Sequence, residues 1–433
     1  MAADGVSTPV WVWLPGCTEP TEAAQLSIAE ADGRWRFDDA YAARSDAVSP
    51  DPRQLRLTSS RKGIALTQRD GLPGVVRDAM PAGYGADRLD AGAGKKLTPV
   101  ELLELGVPDS CGAIEVCQDI EKKLRWVPHD YAKLKDIISL MRADEPASRA
   151  IRQLTDDAST SAGGERPKVT IQDHGRMFLV KMQARSDVEF LPNKEFVVMS
   201  LARACGITTP EMRLESLGEH MVYLCERFDR AGDPRRPSRK LYASAHTVLR
   251  LDIDSVKGDP KRSYLGFADE MRVWCRNSPK LRDDLRELWQ RMAFNALVGN
   301  SDDHPKNHGL LFEDGQWHLA PAFDITPLVP FRNVLSMATG AEGSSEVTVA
   351  RLLASSHRFE LSVEEAAAWL QTSAVLMANT WEGRLRQCGV SEAGIQATAP
   401  ALAFAVQIVA NADDFERVVA AAMAPVGRIR RPR

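Results

Sequence analysis

The 433-residue chain is long enough for two or three domains, each with its own core. A hydrophobic fraction of 44% beside 26% charged residues excludes an intrinsically disordered chain. A net charge of −4 excludes the strongly basic balance of a dedicated nucleic-acid or anionic-membrane binder.

The start, MAADGVSTP, lacks a charged leader and an apolar core, and no run is expected to reach transmembrane length, which predicts a soluble, cytoplasmic protein without a membrane partner. Cys17, Cys111, Cys117, Cys205, Cys225, Cys275 and Cys388 show no metal-ligand spacing and are expected as free thiols. In chain order, Val10–Leu14 predicts a strand, with weaker strands at Arg34–Phe37 and Leu55–Leu57 separated by turn residues. Pro81–Gly85 predicts a tight turn leading to Arg88 and Leu89, and Leu97–Leu105 a helix capped by Thr98 with Pro99 at its first position. Residues 1–145 are thus expected as a β-rich N-terminal domain.

Residues 146–230 predict a mixed small lobe. Ser159–Lys168 (STSAGGERPK) is a small-residue loop with adjacent glycines, Met177–Gln183 a strand carrying Lys181, and Asn193–Cys205 a helix with one apolar face. Val222–Cys225 is a strand leading into Glu226–Arg230. From residue 231 to 433 the pattern turns helical, with helices predicted at Tyr264–Arg276, Leu281–Val298, Val363–Met377, Trp381–Cys388 and Ala401–Ala422. The expectation is an α+β, bilobal, protein-kinase-like fold with an all-helical large lobe.

The chemistry concentrates in Gly299–Asp324. Phosphoryl transfer needs an acidic side chain to take the acceptor hydroxyl's proton and hard oxygen ligands for Mg²⁺. Asp302 and Asn307 stand in the D-x₄-N spacing, a hairpin follows at Leu310–Leu319, and Asp324 comes after it, which is the kinase order. This predicts Asp302 as the base and Asn307 and Asp324 as Mg²⁺ ligands. Lys181 on its strand suits the α/β-phosphates of ATP, with Glu195 on the next helix to orient it. Ser161, Ala162, Gly163 and Gly164 suit a phosphate-covering loop, since glycine lets backbone N–H groups approach anionic oxygens. Glu226, Arg227 and Phe228 occupy the hinge position where adenine would be held.

These motifs together resemble the HipA family of serine/threonine kinase toxins. The resemblance is carried by DAMPAGYGADRL (Asp78–Leu89), CGAIEV (Cys111–Val116), SAGGERPK (Ser161–Lys168), FLVK (Phe178–Lys181), ERFDR (Glu226–Arg230), FNALVGNSDDHPKNHGLL (Phe294–Leu311) and LAPAFDITP (Leu319–Pro327). It implies an ATP- and Mg²⁺-dependent protein kinase and adds His304, Lys306 and Phe323 to the expected nucleotide-contacting set. It further implies autophosphorylation of a loop serine, Ser159 or Ser161, that inactivates the enzyme. A protein substrate such as an aminoacyl-tRNA synthetase, and a helix-turn-helix antitoxin of the HipB type through which DNA is met indirectly, complete the expectation. A catalytically weakened scaffold and a small-molecule kinase are the competing readings.

Overall fold

Alternating burial organises the first part of the protein in the structure, a computed structural model that describes residues 7–29, 32–57, 63–68, 70–142, 166, 168–183 and 187–424. β1 (Ser7–Trp13) buries Val10 and Val12. β2 (Pro20–Ala29) pairs with it, and β3 (Asp32–Phe37) buries Trp35 and Phe37 while Asp32, Arg34 and Arg36 stay exposed. Period-2 burial of this kind marks a sheet with one face in water. With β4 (Ile64–Ala65) and β5 (Ile114–Val116) these strands form an antiparallel sheet of order β4-β3-β2-β1-β5.

The helix Pro99–Leu105 carries the expected start, a capping box in which Thr98 and Glu101 satisfy each other's backbone N–H groups. The structure differs from the sequence reading at three places in this part. Leu55–Leu57 is no strand, because the Asp51 carboxylate accepts from the N–H groups of Arg53 and Gln54, each at 2.9 Å, and closes a turn instead. β2 was not expected, since its Ala-rich sequence has little strand propensity; ladder partners on both sides recruit it. Tyr84–Ala93, expected as the tail of a turn, is a helix entered at Gly83 (φ 56°) and left at Gly94 (φ 66°).

A second five-stranded sheet has the order β6-β7-β8-β10-β9, built from β6 (His129–Asp130), β7 (Lys168–Asp173), β8 (Arg176–Met182), β9 (Met212–Leu217) and β10 (His220–Glu226). The helix Leu191–Ala204 packs on β10. Beyond it, β11 (Arg230–Ala231) pairs with β12 (Ser238–Arg239), and β13 (Tyr242–Ser244) with β14 (Gly309–Glu313), which turns into β15 (Gln316–Leu319). The hairpin turn is Asp314-Gly315 at φ 52° and 75°, the positive pair that matches the twist of two antiparallel strands. These short sheets qualify the expectation of an all-helical large lobe, which is otherwise helical.

The large-lobe core is built on Leu281–Leu297, where Leu288, Trp289, Met292, Ala293, Phe294 and Ala296 are wholly buried. Val363–Gln387 is one helix rather than the two expected, because Ala378-Asn379-Thr380 contains no breaker. The run expected at Ala401–Ala422 is divided at Asn411 into Ala403–Ala410 and Ala412–Met423. Contrary to the reading that no run has transmembrane length, Glu392–Ala410 meets that test by length and composition; it is interrupted by a 3₁₀ turn at Ala399–Leu402 and 44% of its apolar window is buried in the protein.

Candidate active site

Strand alternation puts Lys181 where chemistry can use it. Phe178, Val180 and Met182 of β8 pack onto Leu134, Ile137 and Ile138 in a small core. Leu179 and Lys181 therefore face the opposite side, where they line a cavity of about 420 Å³. Lys181 Nζ donates to Glu195 Oε1 at 2.6 Å and also to the Asp324 carboxylate. Glu195 comes from the first turns of the helix Leu191–Ala204, and Asp324 from the segment after β15.

The charges in this triad are strongly coupled. Burial works against the Lys181 ammonium, yet Asp324 and Glu195 outweigh it and push its pKa up. Burial likewise opposes ionisation of Asp324, but Lys181 and then Lys168 hold that carboxyl well below the usual range. Glu195 goes the other way, raised by burial that Lys181 only partly offsets. Lys168, beside Lys181 in the β7–β8 register, is lowered by burial and then by its neighbour's charge. Asp324 opens 40% of its side-chain surface, and it sits at φ 58°, a left-handed conformation that costs a non-glycine residue energy.

The loop after Leu281–Leu297 supplies the second wall. Asn307 Nδ2 donates to the Asp302 carbonyl at 3.1 Å, which leaves Oδ1 as the atom able to accept or ligate. The His304 N–H also donates to that carbonyl, at 2.8 Å. His304, Lys306 and Asn307 line the cavity with Phe323 and Asp324. Asp302 itself is exposed at the loop surface and is not part of the cavity lining. Its neighbour Asp303 is 0% exposed and hydrogen-bonded away from the cavity.

At the hinge, the N–H groups of Glu226 and Arg227 are spent on the carbonyls of Glu211 and Met177, both at 2.8 Å. The Glu226 carboxylate pairs with Arg176. The Arg227 guanidinium is committed to Asp229 and to the carbonyls of Asp109 and Ser110. Phe228 forms an aromatic group with Phe323 (centroids 5.7 Å apart) and Tyr242 (6.2 Å), so apolar rings from both sides meet on the cavity wall. Ser159, Ser161, Ala162, Gly163 and Gly164 lie outside the described residues.

Sequence reasoning missed one wall altogether. Arg77, Asp78, Met80, Ala82 and Gly83 of the N-terminal part line the same cavity, as does Cys111. Asp78 accepts from the Ser244 N–H at 2.8 Å, Ser244 Oγ at 2.6 Å and Thr247 Oγ1 at 2.7 Å. The motif around Asp78 was legible as a family mark, but a contact across 166 residues has no local signal.

Residues 160–381, just over half of the chain, match the family described as HipA-like C-terminal domain. The toxin YjjJ of Escherichia coli is 26% identical over 258 residues, covering 56% of this chain and 53% of that protein. A serine/threonine-protein kinase toxin HipA of Shewanella oneidensis is 22% identical over 227 residues, covering 47% and 52%. A putative kinase of Sinorhizobium fredii is 27% identical over 164 residues, 36% of this chain and 37% of its own length. The chain thus spans about two fifths to one half of these curated relatives. Among solved structures, HipA from a Shewanella oneidensis complex with HipB and operator DNA superposes with a TM-score of 0.65 at 16% identity, over 92% of this chain and 97% of that one. That likeness covers both lobes and the N-terminal part, so the mixed α+β fold is that of HipA, and the chain belongs to the HipA-like C-terminal domain family.

Proposed function

We propose that the chain is an ATP- and Mg²⁺-dependent serine/threonine protein kinase of the HipA type. The observation that carries the reading is Lys181, held between Glu195 and Asp324 on the wall of a cavity that Asn307 also lines. An ammonium fixed by two carboxylates is positioned to meet phosphate oxygens without choosing a geometry at the moment of reaction. Asp324, with its open carboxylate, and Asn307 Oδ1 are hard oxygen donors that suit Mg²⁺, and they would hold it. The ion would neutralise charge developing on the transferred phosphoryl group. Lys181, Lys168 and Lys306 supply positive charge around the same space, and Phe228 with Phe323 offers ring faces for adenine. Asp302, exposed on the loop that also carries Asn307, would take the proton of an incoming hydroxyl from the solvent side.

Autophosphorylation at Ser159 or Ser161 would be self-inactivating, because a dianionic group in a loop that covers ATP is repelled by its phosphates. A protein substrate, an aminoacyl-tRNA synthetase being one class, and an antitoxin of helix-turn-helix type belong to the same proposal; the solved HipA relative is itself in a complex with HipB and operator DNA. Incubation of the purified chain with γ-labelled ATP, Mg²⁺ and cell lysate tests the reading. Label in protein bands is expected, label only in small molecules would favour a small-molecule kinase, and no transfer would favour a scaffold.

A further inference from the structure

The two adjacent aspartates of the D-D-H segment meet different surroundings, and the buried one has partners that a capped turn does not need. Asp303 Oδ1 accepts from the Ser336 N–H at 2.5 Å, and Oδ2 accepts from the Tyr264 hydroxyl at 2.7 Å. Tyr264 also accepts from Asn295 Nδ2 at 2.9 Å and lies 3.2 Å from His308 Nε2. Asn300 Nδ2 in turn donates to Asn295 Oδ1 at 3.0 Å. All six residues are buried. One hydroxyl thus links Asp303 Oδ2, Asn295 Nδ2 and the His308 ring.

Ser336 belongs to the segment that follows Asp324, and that segment is pinned again by Arg262, which donates to Ser336 Oγ at 3.1 Å and whose carbonyl accepts from the Ala338 N–H at 2.6 Å, while the Ala338 carbonyl accepts from the Tyr264 N–H at 3.0 Å. The network therefore joins three pieces: the Asp302–Asn307 loop, the segment after Asp324, and the helix that opens at Tyr264. It also lies directly behind Asn307 and Asp324, sharing with them a void of about 10 Å³.

We infer that Asp303 is a positioning residue, whose buried carboxylate ties the catalytic loop to the post-Asp324 segment so that Asp302, Asn307 and Asp324 keep one geometry. The inference rests on the kinase reading above. Asp303 does not line the cavity of about 420 Å³, so its effect is indirect. Displacement of reacting groups by about 1 Å costs roughly a hundredfold in rate. A buried ionised carboxylate is otherwise a liability to folding, which argues against retention for stability alone.

The test compares the full-length wild-type chain with Asp303→Asn, Tyr264→Phe and Asp302→Asn, measuring kcat, the KM for ATP and the thermal midpoint. Asp303→Asn keeps the shape but cannot accept from both Ser336 and Tyr264. It is expected to lower kcat about ten- to a hundredfold, with the KM for ATP within about twofold and the midpoint not lowered. Tyr264→Phe should show the same pattern more weakly. Wild-type transfer by Asp303→Asn, or a rate loss that follows a loss of midpoint or ATP affinity, overturns the positioning role alone. A wild-type chain that transfers no phosphate overturns the kinase reading and the positioning role with it, whereas a fully active Asp302→Asn overturns the base assignment and with it the positioning of Asp302 while leaving the kinase reading standing.

Discussion

Adjacent carboxylates at Asp302 and Asp303 meet opposite environments, the first exposed on its loop and the second wholly buried. Asp302→Asn is expected to lower kcat by about 10²- to 10⁴-fold, the usual worth of a general base, with ATP affinity unchanged by calorimetry. Asp303 is no substitute for it, because both its oxygens are engaged. Burial raises the Asp303 carboxyl from 3.8 to about 6, against the opposing hydrogen bonds from Ser336 and Tyr264. For a raised carboxyl the unfolded chain ionises first as pH climbs, so stability falls between pH 3.8 and about 6 and is level above that. The cost at neutral pH is on the order of 3 kcal/mol. Asp303→Asn should therefore melt higher than wild type at pH 7, with the gap closing as pH falls towards 4; equal midpoints throughout would mean the buried charge costs nothing. Asp324→Ala should weaken Mg²⁺-dependent ATP binding and abolish transfer, and an ATP affinity indifferent to both Mg²⁺ and Asp324 would reject its assignment. The spacing Asp302-x₄-Asn307 and the lone lysine in an apolar strand are the sequence signals from which these roles are proposed. A D-D pair does not reveal which member turns inward, since that depends on Ser336 and Tyr264, distant in sequence.

Elements were legible where period and cap agreed. Thr98-Pro99 marked a helix start, and Leu281–Leu297 showed its buried face plainly, whereas β2 depends on neighbours that local sequence does not contain. ERFDR shows the same division inside one motif. Read from sequence, Glu226–Phe228 is a hinge for adenine. In the fold, Arg227 and Arg230 both bind Asp229, and all three seize the N-terminal segment: Arg227 the Asp109 and Ser110 carbonyls, Arg230 those of Ser110 and Gly112, and Asp229 the Gly112 N–H. Burial alone would raise the Asp229 carboxyl, but the two guanidiniums hold it well below its ordinary range. Removing one partner of such a buried ion group strands the others. Asp229→Ala is expected to destabilise the protein by about 3–5 kcal/mol, measurable as a lowered urea midpoint, whereas a surface pair such as Arg44–Asp46 should be worth far less. A urea midpoint for Asp229→Ala comparable to that of Asp46→Ala would show that the clamp is not structural.

At the scale of the molecule, the N-terminal part is built into the cavity rather than appended to it. Arg77–Gly83 forms a wall, and Asp78 anchors that wall to Ser244 and Thr247 beside β14, the strand that leaves the catalytic loop. The fit leaves no slack at Gly74, where an added Cβ would come within 2.6 Å of Thr247 Oγ1 and 2.7 Å of Thr247 Cγ2. Gly74→Ala must push the two parts away from each other, because Thr247 is buried and its hydroxyl is already held by Asp78. The cavity wall then moves with it. The expected result is a several-fold loss of ATP affinity together with a lower thermal midpoint. Gly92 supplies the control: it lies in the helix Tyr84–Ala93, a Cβ there meets nothing within 4 Å, and Ala in a helix is favoured over Gly by up to about 1 kcal/mol. Gly92→Ala should leave ATP affinity unchanged and the midpoint equal or higher. If Gly74→Ala bound ATP as tightly as Gly92→Ala, the N-terminal wall would be a bystander to the nucleotide site, and the cavity would belong to the two lobes alone.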